Sequence, residues 1–406
     1  MSLPLFLTGL LVAVVMPAAL AASDPYVPTD DAEVLEHVAT ARAEADNVRA
    51  LNAQRRALAA RPDDLPAAVA YARRAIELGR ATADPRYHGQ AESALKPWLT
   101  LTEPPPVVRL LRATLRQQRH DFSGALSDLD QLITRDSNNA QARLTRATIL
   151  MVQGRPADAL ADCNALIAAH GDLIAAATCI ASVRSLDGHA AAAIEVLSGA
   201  IAESAAAPAG ERLWALTALA EIEARQGRDA EAGKHFEAAI ALLRATSEHD
   251  PYLLTAYADY LLAAGRAAEA RELTKDSRQI DNLLLRLALA QAALGDPCLT
   301  DSLAQLDARF TEAGLRGGSV HLREEALYAL RLQHDAARAV TLATQNWQSQ
   351  REPADAHLLL EASLAAAQPA AAQPALAWLQ QTGIEDPALH QLANQLRALP
   401  ASGASR

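Results

Sequence analysis

Apolar residues recur three and four positions apart along most of the chain, and short breaks rich in Gly, Pro, Asn or Asp cut this pattern into blocks of helical length. The blocks come in matched pairs. Leu111-Arg112-Ala113-Thr114 leads through His120-Asp121-Phe122 to Ala125-Leu126-Ser127-Asp128 and Leu132-Ile133. Exactly the same order returns with every landmark moved by 34: Thr145-Arg146-Ala147-Thr148, Gly154-Arg155-Pro156, Ala159-Leu160-Ala161-Asp162 and Leu166-Ile167. A third copy keeps Ala181, Gly188, Ala193-Ile194 and Ala200-Ile201. A repeating helix pair cannot bury its apolar face alone, so neighbouring copies must stack to make a continuous core. The pattern therefore predicts an all-α solenoid of antiparallel helix pairs.

Later copies are less regular. The step widens to 39 between Gly188 and Gly227 and to 38 between Gly227 and Gly265. The extra residues fit a loop at 204–210 and a longer helix ending near His249-Asp250-Pro251. The expected organisation is a polar N-terminal helix over 31–60, a repeat array over 65–295, an irregular break over 296–318 and degenerate repeats with a capping helix over 319–399. A disordered tail is expected over 400–406.

These landmarks resemble the tetratricopeptide repeat. Ala181, Gly188, Ala193 and Ala200 match its small-residue and turn positions in full, as do Ala220, Gly227, Ala232 and Ala239. Ala147, Gly154, Ala159 and Leu166 match with one enlarged position, and Ala258, Gly265 and Ala270, then Ala288 and Gly295, continue the series. Small residues let the two helices of a unit cross closely. The resemblance implies a right-handed α-solenoid of about eight units, several degenerate, whose first helices line a concave groove. The family's groove-facing positions fall here on Gln117, Gln141, Thr148, Met151, Trp214, Glu221, Arg225, Tyr252 and Asp259. Trp214 and Tyr252 carry most weight, as aromatic anchors for a peptide, with inter-repeat packing as the alternative. Through Asp84-Pro85-Arg86-Tyr87, Lys96-Pro97-Trp98 and His120-Asp121-Phe122, residues 65–200 are also similar to exported bacterial tetratricopeptide proteins with no assigned activity.

Composition agrees with many close-packed helices: half of the 406 residues are apolar and only 4 % are aromatic, with alanine abundant. The net charge of −11 gives no long-range attraction for phosphate backbones, which argues against a nucleic-acid partner. Residues 3–16 form an apolar run, followed by Pro17 and the small-x-small motif Ala19-Leu20-Ala21. This reads as a signal peptide cleaved after Ala21, which makes the protein periplasmic or otherwise exported. Residues 1–22 contain no Lys or Arg, so an uncleaved membrane anchor is the alternative. Of the three cysteines, Cys163 and Cys179 fall on helices adjacent in the array. They are readable as a disulfide but more simply as small buried apolar residues. Without close His partners, the cysteines do not resemble a zinc site.

No phosphate-cradling Gly loop, His-Glu-x-x-His, Gly-x-Ser-x-Gly or Cys-x-x-Cys motif occurs, so no catalytic residue, metal ligand or cofactor is predicted. One charged pattern stands apart. Arg109, Arg112, Arg116 and Arg119 share a helix face, and Arg143 and Arg146 repeat its first two positions one unit later. They form either an anion site for a partner's carboxylate or, the favoured reading, bridges to Asp128 and Asp162 on the following helices. The expectation is an exported, non-catalytic scaffold holding a protein or peptide partner in a solenoid groove. The alternative is a membrane-associated assembly factor held by an uncleaved N-terminus.

Overall fold

The computed structural model describes residues 42–170, 173–246, 249–315 and 321–399. The predicted signal peptide, the start of the 31–60 helix and the 400–406 tail lie outside the described residues. Asp46–Arg406 forms one compact unit. A leading helix, α1 (Arg42–Ala60), precedes the first helix pair, α2 (Leu65–Thr82) with α3 (Pro85–Leu99). The pairs α4 (Pro106–Gln118) with α5 (Phe122–Arg135), and α6 (Ala140–Val152) with α7 (Pro156–His170), are units two and three. Units four and five are α8 (Leu173–Arg184) with α9 (Ala190–Glu203) and α10 (Ala209–Arg225) with α11 (Asp229–Ala245). Unit six is α12 (Pro251–Ala263) with α13 (Ala267–Thr274), and unit seven is α14 (Asp281–Leu294) with α15 (Leu299–Leu315). Units eight and nine are α16 (Leu322–Arg331) with α17 (Ala336–Trp347) and α18 (Pro353–Ala365) with α19 (Gln373–Thr382), and α20 (Pro387–Ala398) caps the end. The described residues thus hold nine helix pairs, one more than the repeat pattern suggested.

Within the segment expected to be irregular, 296–318, residues 299–315 form the regular helix α15, and 316–318 lie outside the described residues. Asp296-Pro297-Cys298 is only the turn into it, tied by the Asp296 carboxylate accepting the Cys298 N–H at 2.9 Å. Ser302, Leu306 and Phe310 then make a buried stripe at helical spacing.

One backbone device closes the first helix of every unit. Ala83, His120, Gly154, Gly188, Gly227, Gly265, Gly295, His334 and Ala367 each adopt positive φ, one per helix pair. The residue after each typically donates its N–H back to the first helix: Asp121 to the Arg116 carbonyl at 2.9 Å, Arg155 to Leu150 at 2.8 Å and Arg228 to Glu223 at 2.9 Å. This is the bond pattern of a left-handed C-terminal cap, and it reverses the chain in very few residues. The second helix then packs back on the first through small side chains. Ala113, Ala125, Ala147, Ala159, Ala181, Ala193, Ala220, Ala232, Ala258 and Ala270 are each at most 3 % exposed.

Charge and a covalent bond add to this packing. Asp128, 1 % exposed, accepts from Arg112 at 2.5 and 2.8 Å and from Arg116 at 2.8 Å, with Arg109 at 3.8 Å. Asp162, fully buried, accepts from Arg143 at 2.9 Å and from Arg146 at 2.7 Å. Arg109 also reaches Glu103 at 3.1 Å and Gln131, and Arg119 pairs with Glu92. The arginine stripe therefore staples helices together, and its guanidinium groups are committed to the chain's own carboxylates. Cys163 on α7 and Cys179 on α8 are bridged, with Cα atoms 5.4 Å apart, so units three and four are covalently joined where the sequence favoured two free buried thiols. Among the described residues, no helix is long and apolar enough to cross a membrane.

Two stability predictions follow from these contacts. Asp162→Ala should lower the unfolding free energy by about 2–3 kcal/mol in urea titration, because it takes the carboxylate from the largely buried Arg143 and leaves Arg146 only the exposed Asp130. Asp130→Ala, which removes only the exposed second partner of Arg146, should cost less than about 1 kcal/mol. Cys163→Ser with Cys179→Ser should cost about 3 kcal/mol, the loop-closure estimate for a bridge spanning 16 residues, and should abolish any effect of a reductant on the urea midpoint.

Candidate functional site

The stacked units wind far enough for the C-terminal ones to meet the early ones. The turns of units two to five face the connections α17–α18 and α19–α20. At this seam the Arg351 N–H donates to the Val152 carbonyl at 2.7 Å, and Gln350 Nε2 lies 3.1 Å from His120 Nδ1. The Glu385 carboxylate accepts the Ala190 N–H at 3.0 Å, at the start of α9, and the Glu385 carbonyl accepts from the Gln226 amide. The carboxylate is well placed there, because the first N–H groups of a helix have no partner within it.

Two turn glycines have a second reason to be glycine at this seam. A Cβ on Gly154 would lie 2.8 Å from Arg351 Cβ and 2.9 Å from Trp378 Nε1, and one on Gly188 would lie 3.1 Å from the Gly383 carbonyl. Gly227, Gly265 and Gly295 face open space instead. The seam is loosely packed. A cavity of about 440 Å³ lies along it, bordered by Gly154, Trp347, Arg351, Leu359 and Trp378. The buried Trp378 indole N–H has no acceptor there.

The first helices of units five to nine share a polar surface, the lumen side of the array, tied together by ion pairs and hydrogen bonds. Arg286 on α14 grips the Asp259 carboxylate of α12 through two bonds of 2.8 and 2.9 Å, with Glu324 of α16 at 3.9 Å. Arg323 on α16 binds Asp355 of α18 at 2.5 and 2.8 Å and also holds Glu352. Asn346 donates to Asp355 at 2.7 Å and accepts from Gln350 at 3.3 Å, which carries the network to His120. Burial, helped by the Arg323 charge, holds the His120 imidazole below its ordinary pKa and so favours the neutral ring.

The lumen also contains Tyr252, on the first turn of α12 and 60 % exposed. Its hydroxyl donates to both carboxylate oxygens of Glu221 on α10, at 2.9 and 3.0 Å. Burial pushes Glu221 up to about 7, with the Glu352 and Asp259 charges adding to the rise and Arg225 and the Tyr252 bond opposing it. Arg225 itself donates to the Ser185 hydroxyl at 2.9 Å.

The nine groove positions taken from the sequence divide under this geometry. Glu221, Arg225, Tyr252 and Asp259 converge on the lumen. Trp214 and Met151, both half-buried, pack against the apolar cluster around Cys163, Cys179 and Val183. Gln141 donates to Thr145 at 3.3 Å, Thr148 bonds back to the Leu144 carbonyl at 3.0 Å, and Gln117 is half-buried on α4. Arg286, Arg323, Glu324 and Glu352 complete the lumen and were not singled out in the sequence. They lie in units whose repeat pattern is weak, and only the winding brings them near α10 and α12. Among the described residues, no group of three or more His, Cys, Asp or Glu side chains is placed to hold a metal ion.

No family model and no curated protein matches the chain. Solved structures do. A hetero-tetramer of the anaphase-promoting complex, Cut9–Hcn1, aligns at 12 % identity and TM-score 0.49 over 82 % of this chain, which spans 63 % of that one. A Rap protein complexed with competence and sporulation factor aligns at 14 % identity and TM-score 0.49, covering 82 % of this chain and 99 % of that one. A tetratricopeptide repeat protein from Parabacteroides merdae aligns at 14 % identity and TM-score 0.37, covering 72 % of this chain and 98 % of that one. The 34-residue step, the paired helices and the left-handed residue at every turn give this chain a tetratricopeptide-like fold, an all-α solenoid of stacked helix pairs.

Proposed function

We propose that this protein is an exported, non-catalytic scaffold that holds a peptide or protein partner in the lumen bordered by its first helices. The observation that carries this reading is Tyr252, a large aromatic 60 % exposed beside the carboxylate of Glu221 on a polar surface. Exposed aromatics in such settings anchor protein ligands, and solenoids present extended surfaces of this kind. Export is supported by the apolar leader with its Ala19-Leu20-Ala21 motif. The Cys163–Cys179 bridge is in keeping with it, since such bonds persist in oxidising compartments.

A photoreactive residue placed at Tyr252 in living cells should crosslink one discrete partner, and the same residue at exposed Glu195 on α9 should not. Equal labelling at the two positions, or none at Tyr252 in a folded protein, would contradict the scaffold. The captured protein should begin at Ala22. If residues 1–21 remain and the protein stays in the membrane fraction, it acts instead as a membrane-held assembly factor.

A further inference from the structure

We propose that the lumen receives a cationic side chain, a lysine or arginine on the partner segment, between the Glu221 carboxylate and the ring of Tyr252. This inference rests on the scaffold reading and specifies the chemistry of what is held.

The argument begins with charge pairing. The lumen brings five carboxylates together with three guanidinium groups: Glu221, Asp259, Glu324, Glu352 and Asp355 against Arg225, Arg286 and Arg323. Four of the carboxylates have an arginine within salt-bridge distance. Arg286 serves Asp259 and Glu324, and Arg323 serves Glu352 and Asp355. Glu221 has no such cation among the described residues, and its close partner is the neutral Tyr252 hydroxyl. Arg225, one helical turn along α10, is directed to Ser185.

The environment of Glu221 sharpens that imbalance. Arg225 faces it from α10, Tyr252 and Asp259 from α12, and Glu352 from the start of α18. Crowding by protein and by two like charges makes its ionised form costly unless a proton or another cation compensates. Its carboxyl is pushed up to about 7, so a proton competes with any other cation for this position near neutral pH. An ammonium or guanidinium entering the lumen would replace that proton and cancel part of the excess negative charge. Tyr252 adds an attraction of the same sign, because an exposed aromatic ring face binds cations, most strongly where water is partly excluded.

The test uses two fluorescent peptide libraries of equal length, alike except for a central lysine in one and its uncharged acetyl-lysine counterpart in the other. Binding to the mature chain is read by anisotropy at pH 8 and pH 6. The lysine library should bind at least tenfold more tightly at pH 8. That preference should shrink by up to about tenfold at pH 6, where Glu221 is largely protonated while lysine stays charged. Glu221→Gln should remove both the preference and its pH dependence. Tyr252→Leu should weaken the preference while the helical circular-dichroism signal is retained. Equal binding of the two libraries at pH 8, or a lysine preference that survives Glu221→Gln, overturns the inference. If crosslinking at Tyr252 still captures a partner in that case, the scaffold reading stands and only the cationic ligand is lost.

Discussion

The structure depends first on how closely the two helices of each unit can cross. Alanine at the crossing lets the backbones approach, and a left-handed residue at the turn sends the second helix straight back along the first. Neither feature is strong alone. Ala147 and Ala159, or Ala220 and Ala232, bury little area each. Repeated through nine pairs, each unit stacking on the next, such crossings make the array wind. Where the winding brings separate units together, the contact has a different character. Within the array it is apolar and continuous. At the seam it combines hydrogen bonds through Gln350, Arg351, Gln226 and Glu385 with the buried Leu186, which joins the apolar core of the C-terminal units, and leaves a cavity beside Trp347 and Trp378.

That difference assigns different tasks to the two kinds of surface. The apolar stacking, the Arg-to-Asp staples and the Cys163–Cys179 bridge stabilise the winding. The seam sets how far the lumen is enclosed, and its contacts are the ones a modest change in winding would alter first. Gly154 and Gly188 record how close the approach is, since only at these two of the repeat turns with glycine would a side chain meet the C-terminal units. The lumen inherits its charge pattern from the same winding. Arg286 and Arg323 neutralise the carboxylates on their own and neighbouring helices, and Glu221 is left with a tyrosine.

Much of the fold was legible because its physical requirements are local. Gly at a left-handed turn and Ala at a crossing are nearly obligatory, so units with both could be read by spacing. Ala83 and Ala367 take the same left-handed conformation with no glycine to announce it, which is why the first and last units were harder to see. The Asp296-Pro297-Cys298 turn suggested a break, yet the stripe of Ser302, Leu306 and Phe310 that keeps α15 helical was already present. The arginine stripe was readable because its acidic partners recur at the same step, 16 residues on in Arg112–Asp128 and in Arg146–Asp162. The site was less legible. Trp214 and Tyr252 occupy equivalent places in the pattern, and only packing shows that the first is half-buried and the second open. Glu352 approaches Glu221 through winding alone, and no spacing in the sequence carries that information.

The central claim is that the solenoid closes on itself, so that α17–α20 dock on the turns of units two to five and enclose the lumen. The most direct measurement is a spin-label distance across the seam, with Asp158→Cys and Gln381→Cys labelled in a Cys298→Ser background that keeps the native disulfide. Closure predicts one narrow distribution at the short end of the measurable range. A broad distribution, or one centred at a much longer distance, would mean that these units remain apart and would contradict the enclosed lumen.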